Sequence, residues 1–265
     1  MKQLIPDQNT RVWKYVGQMM DKFDNSNGQL LWDFDVFEYE NQLKEWTLPH
    51  FGLRMFMRYG LIEKFQMSES NLKNLMLAIK NECYETTHYH NSLRIVETTA
   101  NFHYFVKFGD LMSLVSDLQI MASFLACFMH DLAHPGVNNN FLIGIRHAKA
   151  LRYNDISVLE YHHCAMAFKL LLDPKNDIFE LLSEAQYWSI RRIIVKMILA
   201  TDISSHIDRI SSFKARMQTK KFPEDSEEDK QFILNMCIYA SDHCNPCKGS
   251  TMYFKWMALE MEEYY

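Results

Sequence analysis

Apolar residues recur along much of this chain at intervals of three and four. Over 71–87, Leu72, Leu75, Met76, Ile79 and Cys83 stand at offsets 0, 3, 4, 7 and 11 behind a Ser/Asn-rich start. That spacing predicts a helix with one buried face, delivering the chain to Tyr89, His90 and Asn91. Residues 110–130 repeat the pattern through Leu111, Leu114, Val115, Leu118, Ala122 and Leu125, then turn apolar on every side before a polar end. This is the signature of a buried helix that aims His130 and Asp131 at something. After Pro135-Gly136, Ser157 is the predicted cap of a helix carrying Glu160, His162 and His163. Ile190, Ile193, Ile194, Met197, Ile198 and Thr201 predict another helix over 190–206, and 231–242 a last one that ends in Asp242. The charged stretch 214–229 predicts an exposed loop or hairpin. The first fifty residues read as irregular but packed, with a turn at 24–29 and with Trp32, Phe34, Phe37 and Trp46 as apolar anchors. No alternating, turn-bounded strand pattern emerges, so the expected fold class is all-α.

Composition narrows the function classes. With 265 residues, 48% of them apolar, the chain can bury a large core as one domain or as a few helical subdomains. Its 28 basic and 33 acidic residues leave a formal charge of -5, which gives no positive field for a nucleic-acid backbone, so no nucleic-acid partner is expected. The apolar stretch Ile120–Met129 is about half of a bilayer span, so membrane insertion is not expected either. Six dispersed Cys and a polar opening without an apolar leader point to free thiols and a cytoplasmic location.

The chemistry concentrates in His130-Asp131-Leu132-Ala133-His134. Imidazoles four apart on a helical turn face the same way, and the carboxylate beside the first can reach a metal held there. Further candidates end or interrupt apolar helices elsewhere: His90, Glu160, Asp202, His206 and Asp242. A buried carboxylate without a counter-charge costs several kcal/mol, and divalent ions supply that charge economically. Imidazole with carboxylate suits Zn2+, whereas carboxylate and water suit Mg2+ or Mn2+. Two ions sharing Asp131 would make water a nucleophile at neutral pH beside a polarised phosphoryl oxygen, which implies phosphate-ester hydrolysis. A serine or cysteine nucleophile has no supporting motif, and no glycine loop cradles phosphate. The single Cys244-Asn245-Pro246-Cys247 reads as ordinary thiols near a turn, and at least one of His162 and His163 as a core or supporting histidine.

Five ordered segments carry a specific resemblance: Tyr89-His90-Asn91-Ser92-Leu93; His130 through Asn139; Tyr153-Asn154-Asp155 with Ser157 through His163; Ala200 through His206; and Ser241 through Pro246. Together they resemble the class I cyclic-nucleotide phosphodiesterase catalytic domain, most of all its cAMP-hydrolysing branch. The resemblance spans 30–265, leaves 1–29 as an N-terminal extension, and implies an all-α, multi-helix catalytic domain of the HD type. It implies hydrolysis of a 3′,5′-cyclic nucleotide, cAMP or cGMP, to the 5′-monophosphate. His90 is similar to the family's general acid. His130, Asp131 and Asp242 resemble ligands of a tightly held zinc, with Asp131 also reaching a magnesium or manganese. His134 resembles the histidine beside the second ion's water shell, and Glu160 a residue that orients the acid or holds a water. Tyr89, Asn139, Asp202 and Asn245 fall at substrate- or water-contacting positions. Signal transduction and homodimerisation are compatible with this reading.

Two departures accompany the resemblance. The family pattern places a histidine, its fourth zinc ligand, four residues beyond the acid, where this chain has Arg94. Arginine does not deprotonate to ligate a metal. Beyond Tyr265 the family pattern continues into helices bearing a purine-binding glutamine and phenylalanine, so the domain is expected to be C-terminally incomplete. Together the departures imply an alternative, a catalytically impaired domain acting in nucleotide binding, dimerisation or scaffolding.

Overall fold

The structure is a computed structural model that describes residues 32–84, 86–219, 222–223 and 225–265. The turn expected at 24–29 and the extension 1–29 lie outside the described residues. Helices α1 (Val36–Leu43), α2 (Thr47–Arg58), α3 (Leu61–Lys64) and α4 (Glu69–Asn81) come first. They are followed by α5 (Ser92–Phe108), α6 (Leu111–Leu114), α7 (Asp117–Met129), α8 (Asn139–Gly144) and α9 (Ala148–Tyr153). The chain continues with α10 (Val158–Leu171), α11 (Glu184–Leu199), α12 (His206–Met217), α13 (Glu227–Asp242) and α14 (Ser250–Tyr264). No strand occurs among the described residues.

The middle of the molecule is α7, which packs chiefly on α5 and α11. Every residue from Ile120 to Met129 is buried, as the loss of amphipathic pattern in that stretch requires. Burial of side chains the size of Phe124 and Phe128 contributes about 1.5–3 kcal/mol each. The helix starts at Ser116, whose hydroxyl accepts from the Gln119 amide while the Gln119 side chain accepts from the Ser116 amide. This reciprocal cap, together with extended backbone at Val115, splits the helix expected over 110–130 into α6 and α7.

Several expectations are corrected. The first fifty residues are not irregular where they are described: Asp35 caps α1 by accepting from the amides of Phe37 and Glu38, and Val36 and Tyr39 of α1 and Leu48 of α2 are buried. Their periodicity is hard to read because the left-handed Lys44 interrupts it. The helix expected over 190–206 ends at Leu199, because Asp202 turns its carboxylate onto the Ser204 amide and starts a new turn. The loop expected over 214–229 is shorter than read, since α12 runs to Met217 and α13 begins at Glu227. Arg216 pairs there with Asp229 and Glu228, so the charges tie two helices together. Ser157 precedes α10 without capping it. Its hydroxyl donates to Asp202, and the Leu159 amide is satisfied by Asn139 instead.

This packing brings to one region the C-terminal ends of α7 and α13, the first turns of α5 and α10, and the last turn of α14. No helix of the described residues is long and apolar enough to cross a membrane.

Candidate active site

The C-terminal end of α7 presents His130 and Asp131, and that of α13 presents Asp242. One donor atom from each lies within 4.8 Å of the others. His130 is fully buried, and its Nδ1 donates to the Cys127 carbonyl at 2.8 Å. That bond fixes the tautomer in which Nε2 carries a lone pair. Nε2 in turn faces Asp131 Oδ2 at 3.1 Å and Asp242 Oδ1 at 3.2 Å. Three acceptors so placed repel one another unless a positive charge joins them. Without a metal, a proton on His130 supplies part of that charge: burial opposes it, but the two carboxylates raise the His130 imidazole to about 10. Burial alone would raise the carboxyl groups, yet His130 holds Asp242 down at about 2 and Asp131 well below its ordinary range. A divalent ion satisfies the same three atoms, and the donor set fits one that accepts imidazole and carboxylate together.

Arg94 reaches this cluster from the first turn of α5. It is 1% exposed, and its Nη2 lies 3.0 Å from Asp242 Oδ1 and also meets the Asp242 main-chain carbonyl. The rings of Tyr89 and Trp256 flank the guanidinium at 5.2 and 5.7 Å.

Beside the cluster stands His90, its ring stacked on His134 with centroids 3.7 Å apart. His134 Nδ1 accepts from the Gly136 amide, so His134 is neutral, and burial and the His90 charge hold its imidazole well below the ordinary value. Glu263, from the last turn of α14, clamps His90. One carboxylate oxygen accepts from the amides of Tyr89 and His90 at 2.7 and 2.9 Å, and the other lies 2.5 Å from His90 Nδ1. Burial would lower the His90 imidazole, but the Glu263 carboxylate overrides it and raises the value. Gly136, at φ +75, lets the turn pass against Glu263 where a side chain would be strained.

The sequence reading missed Glu263 and assigned the orienting role to Glu160 as one of two options. Glu160 lines the same cleft, where its carboxylate accepts from Asn139 Nδ2 at 3.0 Å. Burial pushes Glu160 up to about 7, against the Asn139 bond. A signal for Glu263 was present: Met252, Trp256, Leu259 and Glu263 fall at helical offsets 0, 4, 7 and 11, so an acid lies on the buried stripe of α14.

Tyr89, His90, Asp131, His134, Asn139, Glu160, Asp202, Asp242 and Asn245 all line one cleft of about 660 Å3. Asn245 donates to the Tyr89 hydroxyl at 2.9 Å, and Asp202 is tied to Ser157 and Ser204. His163, buried and 4.0 Å from Asp131 through Nε2, also belongs to the wall. His206 does not; its Nδ1 meets the Tyr239 hydroxyl at 2.6 Å. Cys244 and Cys247 are free thiols, the first buried and the second exposed.

Residues 89–265 match the family model described as 3'5'-cyclic nucleotide phosphodiesterase. A 3',5'-cyclic-AMP phosphodiesterase 4C of Rattus norvegicus is 33% identical over 240 residues, covering 88% of this chain and 45% of the relative. A probable 3',5'-cyclic-AMP phosphodiesterase pde-4 of Caenorhabditis elegans is 30% identical over 267 residues, 98% of this chain and 39% of the relative. The chain thus spans less than half the length of these relatives. Among solved structures, the phosphodiesterase domain of the RhoPDE fusion protein from the choanoflagellate Salpingoeca rosetta superimposes with a TM-score of 0.83 at 26% identity, over 88% of this chain and 73% of that one. The HD-type assignment is therefore corrected. An adjacent His-Asp pair describes a local set of ligands, whereas the helix order and packing that define a fold are here those of a class I phosphodiesterase domain. This chain belongs to the 3′,5′-cyclic-nucleotide phosphodiesterase family.

Proposed function

We propose that this chain acts on a 3′,5′-cyclic nucleotide, cAMP or cGMP, and opens the cyclic phosphodiester to the 5′-monophosphate. The observation that carries this reading is the convergence of His130, Asp131 and Asp242 beside a glutamate-bound His90, with Asp131, Asp242 and His90 lining one cleft. His130, Asp131 and Asp242 would hold a divalent ion, zinc suiting the imidazole, and the Asp131 carboxylate would suit magnesium or manganese as well. Such ions supply Lewis acidity, drawing charge from phosphoryl oxygens and making water a nucleophile at neutral pH.

The remaining work falls to side chains. Glu263 holds the Nδ1 proton of His90, which leaves Nε2 to deliver a proton to the departing 3′ oxygen and spares it from leaving as an alkoxide. Neutral His134 beneath the ring adds no competing charge. Glu160, poised near neutrality by burial, and Asn139 position water across the cleft. Tyr89, Asp202 and Asn245 line the space for the nucleotide. In the same reading 30–265 is the catalytic domain, 1–29 an extension of it, and the cytoplasm the place of action.

Arg94 favours a second reading, in which the domain binds nucleotide or a partner with little turnover. Release of 5′-monophosphate from cAMP and cGMP, measured with added Zn2+, Mg2+ or Mn2+, separates the two. Metal-dependent turnover supports the hydrolase, whereas nucleotide binding without product supports the second reading.

A further inference from the structure

The acidic cluster has a counter-charge that is already part of the chain. Arg94 is 1% exposed, and a guanidinium keeps its charge when buried, so it persists only where something negative holds it. Asp242 is the carboxylate that hydrogen-bonds to it. The oxygen used, Oδ1, is the one that also faces His130 Nε2 at 3.2 Å, so Arg94 and His130 share one carboxylate oxygen. Its Nε and Nη1 are buried with no hydrogen-bond partner, so its hydrogen bonds run through Nη2 to Asp242, with the rings of Tyr89 and Trp256 on its flanks.

On the reading of His130, Asp131 and Asp242 as a metal site, we infer that Arg94 is the resident counter-cation of that site and competes with a divalent ion for Asp242. An ion about 2.1 Å from Oδ1 would lie within about 5 Å of Nη2, because Nη2 is itself 3.0 Å from Oδ1. Two positive charges so close repel, and the site is dry enough for the repulsion to count. The pair therefore does two things. It keeps α5 docked on α13 when the cluster holds no ion, and it makes occupancy depend on the free ion concentration instead of retaining one ion permanently.

The test uses the wild-type chain with Arg94→Gln and Arg94→Met, each stripped with a chelator. Zinc affinity is read by competition with a chromophoric chelator, and Tm is read with and without EDTA. The expected wild type loses its zinc on dialysis, shows no Tm change with EDTA, and binds zinc about 100-fold more weakly than Arg94→Gln. Stoichiometric zinc that survives dialysis of the wild type, a wild-type Tm that falls on chelation, or equal affinities in wild type and variants would overturn the inference. The wild-type arm stands alone should the variants not fold. Adding Asp242→Asn to Arg94→Gln separates this failure from failure of the metal-site reading: unchanged zinc affinity there means that the cluster is not the site.

Discussion

Glu263 Oε1 lies 2.5 Å from His90 Nδ1, although 173 positions separate the two residues. The contact makes the last turn of α14 part of the candidate active site, and it decides which nitrogen of His90 can give a proton. Glu263→Gln removes the charge while keeping the size. The expected outcome is a fall in kcat of about 10–100-fold, with the alkaline limb of the pH profile moved to lower pH. A merely structural role would leave that limb in place.

The same pair predicts a pH window for stability. The His90 imidazole is raised in the fold, so its contribution is complete below the ordinary value of 6.5 and is lost as pH rises through the folded value. Glu263 is held down to about 2: burial opposes this, but the His90 hydrogen bond and charge prevail. Its contribution is therefore complete above 4.5 and lost as pH falls toward 2. The Tm difference between wild type and Glu263→Gln is expected to be largest between pH 4.5 and 6.5. Scanning fluorimetry across pH 3 to about 9 checks it; a difference independent of pH would contradict the pairing.

Trp256 anchors α14. It is 1% exposed, and its ring lies 4.9 Å from Phe37 of α1 and 5.7 Å from Tyr89. Trp256→Ala is expected to cost about 3–5 kcal/mol in denaturant unfolding. Because Glu263 rides on the same helix, the variant should also lose the upward shift of His90, which an NMR titration of the imidazole would detect.

Glu160 offers an independent check on the cleft. Burial pushes its carboxyl up to about 7, and the hydrogen bond from Asn139 restrains the rise. Asn139→Leu keeps the bulk and removes the donor, so the Glu160 carboxyl should titrate at higher pH and carry the acid limb of the activity profile with it. Carbon-detected NMR of the side chain reads this directly, and an unmoved titration would show that the Asn139 bond is unimportant.

How far this site could be read from sequence depends on the distance over which each residue finds its partner. His130 and Asp131 were legible because they are adjacent and end a helix whose apolar character has no polar face. Asp242 was legible because an acid closes a second apolar helix, and His90 because a periodic helix leads to it within a recurrent motif. Glu263 was not singled out. Its partners are the amides and ring of residues 89 and 90, and only its place on the Met252–Trp256 stripe marks it. The helix boundaries that failed did so where side chains turn on their own backbone. Asp202 accepts from Ser204, and Ser116 and Gln119 cap each other, and both interrupt apolar periodicity that would otherwise read as continuous.

The most direct measurement follows 5′-AMP formation from cAMP by the full chain, with Zn2+ and Mg2+ supplied well above stoichiometry, in wild type, Asp131→Asn and His90→Ala. Product formation in the wild type is expected to stop on chelation, to be lost in Asp131→Asn and to fall by about 100-fold or more in His90→Ala. Turnover that survives both the chelator and Asp131→Asn would contradict the metal-dependent reading.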